Sequence, residues 1–408
     1  MIKVLHFADY HLGMENYGHI NPKTGFSLRI DDFLATLDFI IDYALGNEID
    51  LVVFAGDAYK NRHPSPTLVR EFSRRIYKLA GKIPVVLLVG NHDSTAVLEK
   101  ANTLDIFAAL NVPNVYVIRQ PQILEIELQG KEKIQILGIP WLSRSELLKI
   151  GGENDIKISP EDFEKKSSEI LSGVLEELKR KLNQSLKTVA VFHGSVEGGK
   201  FGAERTVMFG TDPVMPLKSF LDEAFSYVAL GHLHSYQVLS LNPPVIYSGS
   251  PDRVDFSEEK EDKGFVLAKI GTKDTSFEFI KTPARPFLTL EINFTGREQT
   301  VSECLEKIKQ KVKDYDFSNM VLKVILKGSK TVLDMIEEKE VKEILGEVYY
   351  LAGIYKNIEM EILREKNEVD VDLAPLSLIA EYLESKNYSE TKKKKIKEVF
   401  AKLLEEIE

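Results

Sequence analysis

A chain of 408 residues is too long for one ordinary hydrophobic core, which points to two or three domains. Its 43% hydrophobic and 28% charged residues exclude a disordered chain, and no apolar run approaches the roughly 18–20 residues of a membrane span. The net charge of −10 argues against a surface coated for nucleic acid, yet leaves room for a local site where cations, lysines or arginines meet phosphate.

Residues 2–9, IKVLHFAD, read as a buried strand. Residues 30–46 then place Phe33, Leu37, Ile41 and Leu45 at helical spacing, with Asp31 and Asp32 in the first turn. DLVVFAGD (50–57) is a second strand, a helix is expected from Pro66 to Leu79, and IPVVLLVGNHD (83–93) is a third strand. This βαβαβ opening implies parallel strands covered by helices. Shorter strands are expected at 115–118, 123–128 and 133–138, followed by a long charged helix over 160–184. KTVAVFHG (187–194) and FSYVALGHLH (225–234) repeat the pattern of an apolar strand with a polar end.

Pro283 and Pro286 mark a boundary. Beyond it FLTLEINF, a helix near 298–314, MVLKVILKG, a helix near 331–347 and NIEMEILR describe a small α+β domain over 284–364 without a cluster of His, Asp or Cys. Residues 365–375 read as a polar linker, and two amphipathic helices follow at about 376–386 and 390–407. The second helix puts Ile396, Val399, Phe400, Leu403, Leu404 and Ile407 on one face. Such a face docks either on its own chain or in a partner's groove. The lysine run at 392–395 is expected to be solvated. The single cysteine, Cys304, excludes an intrachain disulfide and a cysteine-built zinc cage. The start, MIKVLHFADYHLG, lacks the order of a secretory signal, so a cytoplasmic protein is expected.

Five strands end in residues that bind metal. The first gives Asp9 and His11, the second Asp57, the third Asn91 and His92, the fourth His193, and the fifth His232 and His234. Five of the eight histidines fall there, at the carboxyl ends where open α/β sheets place their sites. Carboxylate, amide and imidazole together suit Mn²⁺ or Fe²⁺, with Zn²⁺ as a competitor. The set exceeds what one ion takes and suits two. An aspartate such as Asp57 bridges with its two oxygens, and two ions about 3.5–4 Å apart clamp a phosphoryl group. As alternate residues, His232 and His234 face one way.

The motifs DYHLG, GDAYKNR, GNHD, FHG and GHLH resemble, in this order, those of the calcineurin-like metallophosphoesterases. HFADYHLG, GDAYKNRHPSP and the segment 245–270, VIYSGSPDRVDFSEEKEDKGFVLAKI, are similar to the SbcD-type DNA-repair nucleases. The resemblance implies a metallophosphoesterase fold of two packed mixed β-sheets flanked by helices over residues 1–283. The region 284–364 would cap it and help grip DNA, and 376–408 would bind the coiled-coil base of an SbcC-type, SMC-like ATPase. It implies a homodimer with two Mn²⁺ per subunit, or Fe²⁺, Mg²⁺ or Zn²⁺ in their place. By the same resemblance Asp9, His11, Asp57 and His234 hold the first ion and Asp57, Asn91, His193 and His232 the second. His92 contacts the scissile phosphate or protonates the leaving oxygen, and Asp93 orients His92 or an adjacent loop. The implied activities are exonuclease on duplex DNA and endonuclease on single strands or hairpins, gated by the ATPase.

One position departs from the pattern. Many relatives carry His or Asp three residues after the bridging aspartate, where this chain has Lys60. Lys60 contacts phosphate or is solvated, and Arg62 and His63 are nearby candidates for the same role. His6, inside the first strand, is expected in the core or behind a ligand; His19 and His63 are expected in loops. In the glycine-rich loop 193–205, Lys200 and Arg205 are candidate contacts to a DNA backbone. Arg253 faces phosphate or closes a local ion pair. Two rivals stay open: a phosphoesterase for small nucleotides or phosphoproteins, and an inactive adaptor for the ATPase.

Overall fold

The computed structural model describes residues 1–94, 101–130, 132–152, 159–202, 213–296, 298, 300–358, 379, 383 and 388–405. Met1–Ile358 form one compact unit and Glu359–Glu408 a second. The first unit begins with strand β1 (Ile2–Phe7), helix α1 (Leu28–Gly46), β2 (Leu51–Phe54), α2 (Pro66–Ala80), β3 (Val85–Leu88), α3 (Asp105–Ala109) and β4 (Val115–Ile118). Next come β5 (Gln122–Glu127), β6 (Lys133–Ile139), α4 (Arg144–Ile150), α5 (Pro160–Lys179), β7 (Lys187–His193) and the two-residue strands β8 (Ser195–Val196) and β9 (Val214–Met215). Then β10 (Tyr227–Gly231), β11 (Gln237–Leu241), β12 (Pro244–Tyr247), β13 (Gly264–Ile270) and β14 (Thr275–Lys281) complete the first lobe.

Two six-stranded mixed sheets result, ordered β14-β13-β1-β2-β3-β4 and β11-β12-β10-β7-β6-β5. In the first, β1, β2, β3 and β4 run parallel, while β13 pairs antiparallel with both β1 and β14. In the second, the four central strands run parallel and both outer pairings are antiparallel. Strand alternation sorts the side chains. Leu5 and Phe7 of β1 pack under Phe33, Leu37 and Phe72 of α1 and α2. Val4 and Val53 face the second sheet and meet Val189, Val191 and Ala229. The outer face of that sheet packs Leu137 and Ala190 against Phe163, Leu171 and Leu175 of α5. Burial on both faces is why these strands read as continuous apolar runs. Ser27, Ser65, Ser143 and Ser159 cap their helices with a side-chain oxygen, with Pro66 and Pro160 in the first turn of α2 and α5.

His6 sits in the inter-sheet layer, fully buried, with Nδ1 2.9 Å from the Tyr227 hydroxyl. Burial pushes its pKa down to about 3. The folded chain thus refuses a proton that the unfolded chain accepts near pH 6.5. This contribution is whole above pH 6.5 and is lost as acidity rises toward pH 3. His6→Leu should flatten the fall in stability below pH 6.5 by up to about 1.4 kcal/mol per pH unit, read from urea unfolding at several pH values.

A second lobe of the same unit follows: β15 (Phe287–Asn293), α6 (Val301–Val312), β16 (Val321–Gly328), α7 (Lys330–Asp334), α8 (Glu338–Leu345) and β17 (Tyr350–Ile358). Its three strands form a parallel sheet with β16 in the centre, and Cys304, Ile308, Leu333 and Val341 from the helices cover one face. One expectation fails here and another is extended. The helix expected over 331–347 is two helices, because Glu337 starts a new one with its backbone N–H on Glu340. The last strand begins at Tyr350, ahead of NIEMEILR; a register shift where it passes Leu322 and Lys323 breaks the alternation that would have announced it. Residues 359–378, with the linker expected at 365–375, lie outside the described residues, as does most of the first terminal helix. In the second unit α9 spans Glu390–Glu405. In its lysine run Lys392, Lys394 and Lys395 are exposed and Lys393 is buried.

Candidate metal centre

All seven expected ligands lie at the carboxyl ends of parallel strands from both sheets, or in the loops directly after them. Gly231 pairs with His193 across β10 and β7, and Asp9 N donates to Gly56 O across the ends of β1 and β2. Stacking the two sheets brings these ends together. Among the described residues eight non-glycine residues have positive φ, and four of them are expected ligands: Asp9 (52°), His11 (49°), Asp57 (63°) and His232 (109°). Each such conformation costs about 1–3 kcal/mol and persists only where its surroundings enforce it.

The site has two poles. At one, His11 Nε2 and His234 Nε2 are 3.0 Å apart. At the other, Asn91 Oδ1 lies 2.9 Å from His193 Nε2 and 3.1 Å from His232 Nδ1. Asp57 stands between them, with Oδ2 3.7 Å from His11 Nε2 and 3.5 Å from His193 Nε2. Asp9 accepts from the backbone N–H of His232, at 2.9 Å to Oδ1 and 3.0 Å to Oδ2. Donor atoms of His11, Asp57 and His92, and again of Asp9, Asp57 and His193, lie within 4.8 Å of one another. Asp57 belongs to both groups, as a bridging carboxylate would.

The residues fit divalent cations. A backbone carbonyl can only accept, so the 2.7 Å contact from His193 Nδ1 to Ala55 O fixes the proton on Nδ1 and turns the Nε2 lone pair into the site. Burial alone would lower the His193 pKa, but Asp57 and then Asp9 raise it to about 9, the mark of a pocket that favours positive charge. Burial would raise Asp57, yet His193 and His11 hold it well below the ordinary carboxylate range. Burial, and next the His234 ring, push His11 well below its usual value. Glycine keeps the cradle open. A Cβ on Gly90 would lie 2.1 Å from Asp57 Oδ1. Gly90→Ala should therefore displace Asp57 and lower the number of bound ions, as counted by elemental analysis of the purified chain.

Of the two roles expected of Asp93, its hydrogen bonds serve the adjacent loop. Its buried carboxylate takes the N–H groups of Asp57 (2.9 Å), Ala58 (2.9 Å), Tyr59 (3.4 Å) and Gly90 (3.1 Å), and so fixes the loop that carries Asp57. Hydrogen bonds of this kind contribute about 0.5–1.5 kcal/mol each, and together they offset the strain at Asp57. Burial and the Asp57 charge push Asp93 up to about 7. The backbone carbonyl of Lys60 accepts from His92 Nδ1 at 2.6 Å. That holds the ring beside His11, 4.8 Å between centroids, and leaves Nε2 as the other nitrogen.

Arg62, His63 and His19 are exposed loop residues, and Lys200 is exposed with its backbone tied to Gln237. Arg205 lies outside the described residues. Arg253 is a structural tie rather than a phosphate contact: its guanidinium donates to the carbonyls of Ala284, Arg285 and Glu261. Sequence reasoning missed Glu258. Its Oε1 is 2.8 Å from His234 Nδ1, and Lys263 lies 2.8 Å from Oε2. Burial alone would raise this carboxyl, but His234 and Lys263 hold it at about 2. The only signal was its place in DFSEEKEDKGF, where several acids look alike.

The family model described as calcineurin-like phosphoesterase matches residues 2–236. Among solved structures the chain is similar to the protein TT1561 of Thermus thermophilus, with 13% identity over 68% of this chain and 98% of that one and a TM-score of 0.39. It is also similar to a dimetal phosphatase from Danio rerio, with 11% identity over 69% and 97% of the two chains and a TM-score of 0.38.

Proposed function

The chain belongs to the calcineurin-like phosphoesterase family, and from that premise we propose that it is a Mn²⁺-dependent DNA nuclease, the catalytic subunit of an SbcCD-type repair complex. The observation that carries the narrower reading is the placement of residues 245–270. This segment bears the likeness to SbcD-type nucleases, and its Glu258, in the turn between strands β12 and β13, holds the ring of His234.

Asp9, His11, Asp57 and His234 would hold the first ion, and Asp57, Asn91, His193 and His232 the second. Bound there, two divalent ions would polarise the phosphoryl group and acidify the attacking water. As the imidazolium, His92 supplies the Nε2 proton to the leaving oxygen or donates it to steady the phosphate: its Nδ1–H is committed to the Lys60 carbonyl, so Nε2–H is the donor that turns to substrate. Asp93 keeps Asp57 in place while charge develops. Residues 376–408 would dock on the coiled-coil base of an SbcC-type ATPase. In α9, Val399 is 53% exposed, as a docking face requires. A homodimer acting in the cytoplasm completes the proposal.

The test compares turnover of a linear plasmid-length duplex and a DNA hairpin with that of a cyclic dinucleotide, all with Mn²⁺. Faster cleavage of DNA supports the reading. Preference for the dinucleotide would make the chain a small-nucleotide phosphodiesterase, and no cleavage of any of them would make it an adaptor. Mixing with a candidate ATPase, with and without residues 376–408, tests the partner.

A further inference from the structure

We infer that the turn at residues 253–263 ties the ion site to the second lobe, with Glu258 as the residue that positions His234. The inference rests on the two-ion reading above. Toward the site, Glu258 Oε1 contacts His234 Nδ1, while Oε2 accepts from Val254 N (2.9 Å) and from Lys263 (2.8 Å). Lys263, 3% exposed, also donates to the His234 carbonyl (3.1 Å) and to Ser250 Oγ (2.9 Å). Ring and backbone of His234 are thus held by one turn.

The same turn grips the second lobe. Glu259 Oε1 accepts from Thr289 N of β15 at 2.9 Å. The Phe256 ring packs on Phe287 of β15, 5.0 Å between centroids, and Lys323 of β16 lies 4.3 Å from its centre. Adjacent glutamates therefore hold a metal ligand and a strand of the other lobe. His193 differs: the group behind its Nδ1 is the Ala55 carbonyl, within the first lobe. A carboxylate behind an imidazole fixes its orientation and strengthens it as a donor. It follows that the pole built from His11 and His234 depends on the second lobe, and the pole built from Asn91, His193 and His232 does not.

Mn²⁺ binding to the full chain, followed by electron paramagnetic resonance of the free ion, should resolve two affinities. Glu258→Ala should weaken one of them about ten- to a hundredfold and leave the other nearly unchanged. Glu258→Gln still accepts from Nδ1–H and should recover most of the loss. Phe256→Ala touches no ligand and should weaken the same affinity; it carries the test if Glu258→Ala fails to fold by circular dichroism. Wild-type affinities in Glu258→Ala, or an equal loss in Glu258→Gln, would overturn the positioning role. Wild-type affinities in Phe256→Ala would overturn the link to the second lobe. Because the readout is ion binding, a chain that holds two ions with these responses but leaves DNA intact refutes the nuclease proposal and not this one.

Discussion

Asp57→Asn should empty both poles of the site and lower phosphodiester hydrolysis by on the order of a thousandfold or more. Asp57 is the residue whose oxygen faces His11 and His193 together, so its charge serves both ions. Asparagine suits the test. It tolerates the left-handed conformation at this position, and its amide oxygen can still accept the His92 N–H that Asp57 Oδ1 takes at 2.8 Å. The loop should therefore keep its shape while the bridging charge disappears. Loss of transition-state charge stabilisation worth several kcal/mol converts to about three decades in rate at 1.36 kcal/mol per decade. Elemental analysis should find fewer than two ions per chain, with thermal unfolding showing an intact fold. Two tightly held Mn²⁺ in Asp57→Asn would sink the bridging role.

His92→Ala should separate binding from chemistry. The backbone N–H of His92 supports Asp57, and that bond survives any side-chain change. The imidazole is held by the Lys60 carbonyl rather than by a ligand. Two ions should remain bound while hydrolysis falls about 10²–10⁴-fold, the usual contribution of a positioned proton donor. His92 also lies within the donor group of His11 and Asp57, so the alternative outcome is informative. If the ion count drops with the rate, His92 is a ligand and the assignment of proton transfer to it fails.

Ion binding should in turn depend on acidity. Metal and proton compete for the same imidazoles. Asp57 and Asp9 already favour positive charge at His193, so loading the site should release protons and weaken as pH falls.

The amino-acid sequence by itself determined which elements form and where the chemistry lies. Apolar runs closed by Asp, Asn and His mark strand ends, and period-3.6 spacing marks α1 and α2; both signals are local, so they survive without a structure. The α+β character of residues 287–358 was legible for the same reason, while the broken helix at Met335–Glu337 and the shifted strand at Tyr350 were not, since a cap and a register shift override periodicity. Only the tertiary structure decided how the ligands meet. His11 and His234 touch across 223 positions because two sheets stack, and no local pattern encodes that contact. The same holds for the Lys60 carbonyl behind His92, for Asp93 on four backbone N–H groups, and for Glu258 behind His234. Each is a hydrogen bond whose partner is chosen by packing rather than by spacing, and a bond to a main-chain atom leaves no mark in residue type.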